Sequence, residues 1–150
     1  MIRIIITITI AAIISACSGM ATYKRAEELA NKDLRAEKSP YRAKHIDLGE
    51  ETVLLSYEFA GIPGESIVKQ AEPALETDIY RILKNKCDYL EANLIETRVV
   101  EHKHPEYYEV WVFNDEKSQV KDGISAISVH INFLPNGGGA DLEFTGDCHS

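Results

Sequence analysis

Tyr107-Tyr108-Glu109-Val110-Trp111-Val112-Phe113 is the stretch that decides the fold. On an extended chain Tyr107, Trp111 and Phe113 point to one side, and Tyr108, Val110 and Val112 to the other. Both sides are apolar. A strand with one wet face alternates apolar with polar residues. A strand apolar on both faces belongs in the middle of a sheet that is covered on both sides. The rest of the chain must therefore supply neighbouring strands and two covering layers.

The neighbours are close at hand. Segments 93–104, 106–114, 123–134 and 140–147 read as strands. Pro105, the Asn114-to-Gly123 loop and Asn136-Gly137-Gly138-Gly139 read as the turns between them. Ile127, Val129, Ile131 and Phe133 share one face of the third strand, and Leu142 and Phe144 one face of the fourth. One cover lies just upstream. Pro73 suits the first turn of a helix, and Leu75, Ile79, Ile82, Leu83, Cys87 and Leu90 then recur at helical spacing. A helix over 73–90 follows, with 65–72 as a preceding helical turn kinked at Pro73. The second cover must come from an N-terminal helix or from a partner.

Ala43 to Phe59 reads as extended, with Gly49-Glu50 turning a short strand into a longer one. Val53, Leu55, Tyr57 and Phe59 share a face of the latter. Gly61-Ile62-Pro63-Gly64 reads as a break in the chain. Tyr23 to Lys38 is charged and rich in helix formers, capped by Thr22 and ended by Ser39-Pro40. Its apolar stripe is thin: Ala26, Leu29, Ala30 and Leu34. Residues 18–22 are small and read as a tether. The predicted class is α+β: an antiparallel sheet of about five to six strands packed on one main helix, plus a charged N-terminal helix.

The first residues carry a different message. Arg3 is followed by an apolar run from Ile4 to Ile14, which has the pattern of a signal peptide and is too short to span a bilayer as a permanent helix. The run ends Ile14-Ser15-Ala16-Cys17. This resembles the lipobox of bacterial lipoproteins. The resemblance implies cleavage before Cys17, a diacylglycerol on its thiol and an acyl chain on its new amino group. Stable anchoring needs two or more chains, so the chemistry is sufficient. The implied division is a signal peptide over 1–16, a lipidated Cys17 with tether and charged helix over 17–40, and an α+β domain over 41–150. Ser18 after the cysteine resembles the outer-membrane-sorted set. The expected location is the cell envelope, lipid-anchored at the outer membrane and facing the periplasm of a Gram-negative bacterium.

In an exported chain the two remaining cysteines, Cys87 and Cys148, read as a disulfide. Two free thiols or a redox pair are the alternatives. Cys87 lies on the apolar stripe of helix 73–90. Cys148 shares the parity of Leu142 and Phe144 if that strand stays extended, so both point at the helix–sheet interface. The closed loop is long, worth roughly 4 kcal/mol on the chain-entropy model.

The chain has 24 acidic and 16 basic residues. That balance argues against nucleic acid and against electrostatic docking on anionic lipid. Glu101-His102-Lys103-His104-Pro105-Glu106 is the one dense polar cluster. His102 and His104, two apart on a strand, share a face and with Glu106 are weak candidates for Zn²⁺ or Cu²⁺; solvated turn residues are the plainer reading. His130 falls on the polar parity of its strand and reads as surface. His45 and His149 have no companion pattern. No nucleophile elbow, phosphate loop or helical zinc motif occurs, and no cofactor is implied.

Three readings follow. The first is a non-catalytic protein-binding or accessory module, held to the membrane by its anchor, with Tyr107, Tyr108, Trp111 and Phe113 facing an envelope partner. The order of lipobox, charged helix, strands, cysteine-ended helix and late cysteine is similar to that of small secretion-pilotin lipoproteins, and more distantly to lysozyme-inhibitor lipoproteins. The second is a periplasmic metal-binding protein or enzyme using His102, His104 and Glu106. The third is a structural lipoprotein without a specific ligand.

Overall fold

A computed structural model describes residues 19–48, 53–71, 73–118 and 123–149. The signal segment, the lipobox with Cys17, the Gly49-Glu50 turn and Glu72 lie outside the described residues. The fold is α+β. Five strands form an antiparallel sheet in the order β3 (Ile62–Pro63), β4 (Leu94–Lys103), β5 (Glu106–Asn114), β6 (Ile124–Phe133), β7 (Ala140–Thr145). A separate antiparallel pair is made by β1 (Tyr41–Asp47) and β2 (Val53–Phe59). Among the described residues three α-helices accompany them: α1 (Gly19–Ala36), α2 (Ile67–Ala71) and α3 (Pro73–Cys87).

The strand rich in aromatics is central, as its two apolar faces require. β5 pairs with β4 through a two-residue His104-Pro105 turn, with a cis peptide before the proline, and with β6 on its other side. Trp111 and Phe113 are buried beneath α3, among Leu75, Ile79, Leu83, Ile127, Val129 and Ile131. Val110 and Val112 are buried on the opposite face with Ala60 and Ala126, against half-buried Tyr41 and Phe59. Part of the second cover is thus the base of the β1–β2 hairpin, rather than the N-terminal helix. The Gly61–Gly64 stretch is more than a break. Gly61 turns the chain at φ +75°, where a Cβ would stand 2.5 Å from the carbonyl oxygen of Val99, and so lays Ile62 and Pro63 along β4 as a short edge strand. Proline is tolerated there because an edge strand needs no outward donor.

α3 ends at Cys87, three residues before the end expected from its stripe. Asp88 takes the left-handed conformation at φ +61° and donates its N–H back to the carbonyl of Lys84. That turn swings Tyr89 into the core and leaves Leu90 exposed. The other end of the molecule also departs from simple parity. β7 stops at Thr145, and Gly146, at φ +128° and pressed against Ala126, bends the chain. Cys148 reaches Cys87 after this bend rather than along an extended strand, and the two form a disulfide.

α1 starts at Gly19, so the stretch read as a tether is largely helical. It closes with Lys38 at φ +53°: the N–H of Ser39 bonds Leu34 and that of Lys38 bonds Arg35, a Schellman ending. Among the described side chains of α1 only Asn31 is buried. No described helix is long and apolar enough to cross a membrane.

Candidate functional site

The residues singled out in sequence divide between core and surface. Trp111 and Phe113 are core: Tyr80 tilts against Trp111 at 5.5 Å between ring centres, and Tyr89 stacks on Phe113 at 4.7 Å. Neither is available to a partner. Tyr107 and Tyr108 are half-buried and remain at the surface, on opposite faces of the sheet.

His102, His104 and Glu106 do not converge. His102 shares the α3 face with its cross-strand partner Tyr107, whereas Glu106 points to the other face. His104 lies over Phe133 in the turn. Among the described residues no three His, Cys, Asp or Glu side chains come together as a metal site.

What His102 meets instead is Glu109, a residue the sequence reading passed over. Its carboxyl group is fully buried on the α3 face of β5. It accepts from Ser66 Oγ at 2.6 Å, the Ile67 N–H at 2.7 Å and Trp111 Nε1 at 2.9 Å, and lies 2.8 Å from His102 Nε2. Ser66 in turn receives the N–H of Val68, so one carboxyl group fixes the start of α2 to the centre of the sheet. The signal was present as a lone charge within an otherwise apolar run. These four contacts tie β4, the start of α2 and the Trp111 indole to one carboxyl group.

A second buried carboxylate, Asp115, sits where β5 ends. Tyr89 Oη and Ser125 Oγ donate to its Oδ2 at 2.7 and 2.8 Å, Lys117 N–H to Oδ1 at 2.9 Å, and His149 Nδ1 lies 2.8 Å away. Burial pushes its pKa up, but the bonds from Tyr89, Ser125, His149 and Lys117 outweigh burial and hold it below the ordinary value. Ser125 donates to Asp115 itself, so the group is not a hydrolase triad, in which the serine addresses the histidine. It ties the C-terminal turn to the sheet. His149 and His45 thus both have companions, the latter in Glu27.

A concave site lies elsewhere. The β1–β2 hairpin covers only part of the second face of the sheet. Beyond it, β5, β6 and β7 expose two cross-strand rows: Tyr108–His130–Glu143 and Glu106–Asn132–Asp141. These rows line a cleft of about 380 Å³, with Lys38 and Glu101 at its border. Its floor is the stacked pair Tyr108 and His130, 4.1 Å between ring centres. Tyr108 is fixed by donating to the carbonyl of Ser39. Lys38 bridges to Glu143 across the cleft, and that bond holds the Glu143 carboxyl below its usual pKa. His130 lies at the surface as its parity suggested, but half-buried in the cleft floor. Its Nε2 is buried and without a hydrogen-bond partner. Burial first, and the charge of Lys38 second, push its pKa below the ordinary value, against weaker upward pulls from Glu143 and Glu106. Burial therefore favours the neutral ring. Four carboxylates against one ammonium make the walls acidic.

Comparison of the chain with protein-family models, with curated proteins and with solved structures gives no match.

Proposed function

We propose that the chain is a lipid-anchored accessory module of the bacterial envelope, one that holds a protein partner without transforming it. The observation that carries this reading is the cleft over Tyr108 and His130: a concave, fixed surface with an aromatic floor and a net acidic wall. Such a surface takes a Lys or Arg side chain of a partner, whose stem lies on the rings while its charge meets Glu106 and Asp141. The lipobox residues Ile14-Ser15-Ala16-Cys17 support the anchor. α1 starts two residues after Cys17, and its 18 residues extend about 27 Å, so a helix rather than a loose tether joins anchor to domain.

A metal-binding role for His102, His104 and Glu106 finds no support in their arrangement. The test has two parts. Cys17→Ser is expected to move the protein from the membrane to the soluble fraction, and persistence at the membrane would remove the anchor. A photo-crosslinking residue at Asn132, in the full-length anchored chain, is expected to label one discrete envelope protein and to lose that label in Glu106→Lys/Asp141→Lys. Labelling that ignores this charge reversal counts against the cleft, and an absence of any adduct favours a structural lipoprotein without a ligand.

A further inference from the structure

The sheets have four outer edges, and three are guarded against further pairing. β3 is two residues long and contains Pro63. β7 carries Asp141 and Glu143. The outer edge of β1 is closed by α1: Asn31 takes both the N–H and the C=O of Ala43 at 2.8 Å each, and Glu27 takes the N–H of His45 at 2.9 Å. Short strands, proline, charge and a covering helix are the usual devices against strand addition.

Of these devices β2 has only a single charge, Glu58. Val53-Leu54-Leu55-Ser56-Tyr57-Glu58-Phe59 contains one charge, no lysine and no proline, and no bulge interrupts its pairing with β1. Ala60 donates its N–H to the carbonyl of Pro40, so by antiparallel alternation the pairs Arg42/Glu58, Lys44/Ser56 and Ile46/Leu54 exchange hydrogen bonds. The other pairs point away, as Ala43 and His45 do toward α1. On β2 the outward groups therefore belong to Val53, Leu55, Tyr57 and Phe59, and among the described residues nothing receives them.

We propose that this edge pairs with the same edge of a second copy of the chain, joining two β1–β2 hairpins into a four-stranded antiparallel sheet across a two-fold axis at Ser56. Only this centring overlaps all seven residues. It sets Leu55 opposite Tyr57 and Val53 opposite Phe59 of the other copy, with their outward N–H and C=O groups facing one another. Apolar and aromatic cross-strand pairs of this kind stabilise sheets. The single charge, Glu58, falls opposite Leu54, so no like charges meet. The strand is complementary to itself in hydrogen bonding and in its apolar and aromatic pairs, as an isologous dimer requires. The inference is independent of the cleft, which lies on the other sheet.

The test uses the full-length chain in detergent micelles. Wild type is expected to sediment at twice the monomer protein mass. Ser56→Cys brings two cysteines opposite each other in a non-hydrogen-bonded pair, about 4.5 Å between Cα atoms, within disulfide reach. It is expected to form a covalent dimer on non-reducing gels. Lys44→Cys on β1, separated from its mate by three strand spacings of about 4.8 Å, is expected to form none. Tyr57→Pro removes an outward donor and should abolish the dimer while keeping the monomer's circular dichroism. Should that variant fail to fold, the contrast between Ser56→Cys and Lys44→Cys decides alone. A monomeric wild type with equal cross-linking at both positions overturns the proposal, as does an edge occupied by an unrelated protein in place of a second copy.

Discussion

Asn31 and Ala43 meet through two hydrogen bonds of 2.8 Å, the carboxamide of one completing the peptide group of the other. The side chain behaves as one residue of an added strand. Glu27, one turn earlier, repeats the contact at His45. The match is geometric: four residues of helix advance about 6 Å, close to the nearly 7 Å covered by two residues of strand. This polar seam replaces the apolar face that α1 lacks. It also lowers the pKa of Glu27, chiefly through the His45 N–H and then through the His45 ring.

Asn31→Leu should therefore detach α1 more than it unfolds the domain. Ala43 is buried, and its two backbone groups would lose their partners, at a cost of about 2 kcal/mol before water enters. The expected result is fast amide exchange at Ala43 and through α1, with exchange in β5 and β6 unchanged. Equal loss of protection in both regions would contradict a local seam.

Glu109→Ala should be among the most damaging single changes. It strands the Ser66 hydroxyl, the Ile67 N–H and the Trp111 indole N–H inside the core, and opens a void beside them. Each orphaned donor costs on the order of 1 kcal/mol or more, so the sum is roughly 3 kcal/mol or above. Glu109→Gln keeps one acceptor oxygen and should lose about half as much. Urea denaturation of the two variants checks the order; equal, small losses would mean that the carboxyl group does not anchor α2.

The sheet was legible because its central strand is apolar on both sides and its turns carry Pro105 and Gly137–Gly139. Helix α3 was legible because Leu75, Ile79, Leu83 and Cys87 keep one period. Three features were hidden, each for a physical reason. Glu109 and Asp115 are acidic residues held inside by donors far away in sequence, and local pattern carries no record of such donors. Leu90 and Tyr89 exchanged roles because one left-handed residue, Asp88, shifts the phase of everything after it. His130 has polar neighbours on its strand, yet Tyr108 stacks on its ring and its Nε2 is buried. The cleft itself is assembled from β5, β6, β7 and the end of α1, so no contiguous motif marks it.

His130 should give the domain a pH dependence near neutrality. Its folded pKa lies below the ordinary 6.5. The unfolded chain then binds more protons than the folded one as pH falls through that range, so stability rises with pH. The contribution is complete above about 6.5 and declines on acidification below it. Thermal unfolding of wild type should move to lower temperature between pH 7 and 5. His130→Phe keeps the stack with Tyr108 and should flatten that slope. A slope unchanged in His130→Phe would assign the effect to another group.

Cys148→Ser should act at two places at once. The bridge spans 61 residues, and its loss costs roughly 4 kcal/mol on the chain-entropy model. It also frees the turn that presents His149 to Asp115. Burial raises the Asp115 pKa, and the bonds from Tyr89, Ser125, His149 and Lys117 bring it below 3.8. Without the His149 contact the balance shifts and the pKa climbs. A carboxylate with a depressed folded pKa adds stability above its unfolded value, and that stability is lost as pH falls through the folded value. In the variant the Asp115 contribution should be smaller, and its loss should be complete at a higher pH than in wild type. Carbon-detected titration of the Asp115 carboxyl reads the pKa directly, and acid unfolding curves read the consequence. An Asp115 titration identical in both proteins would show that the C-terminal turn holds its place without the disulfide.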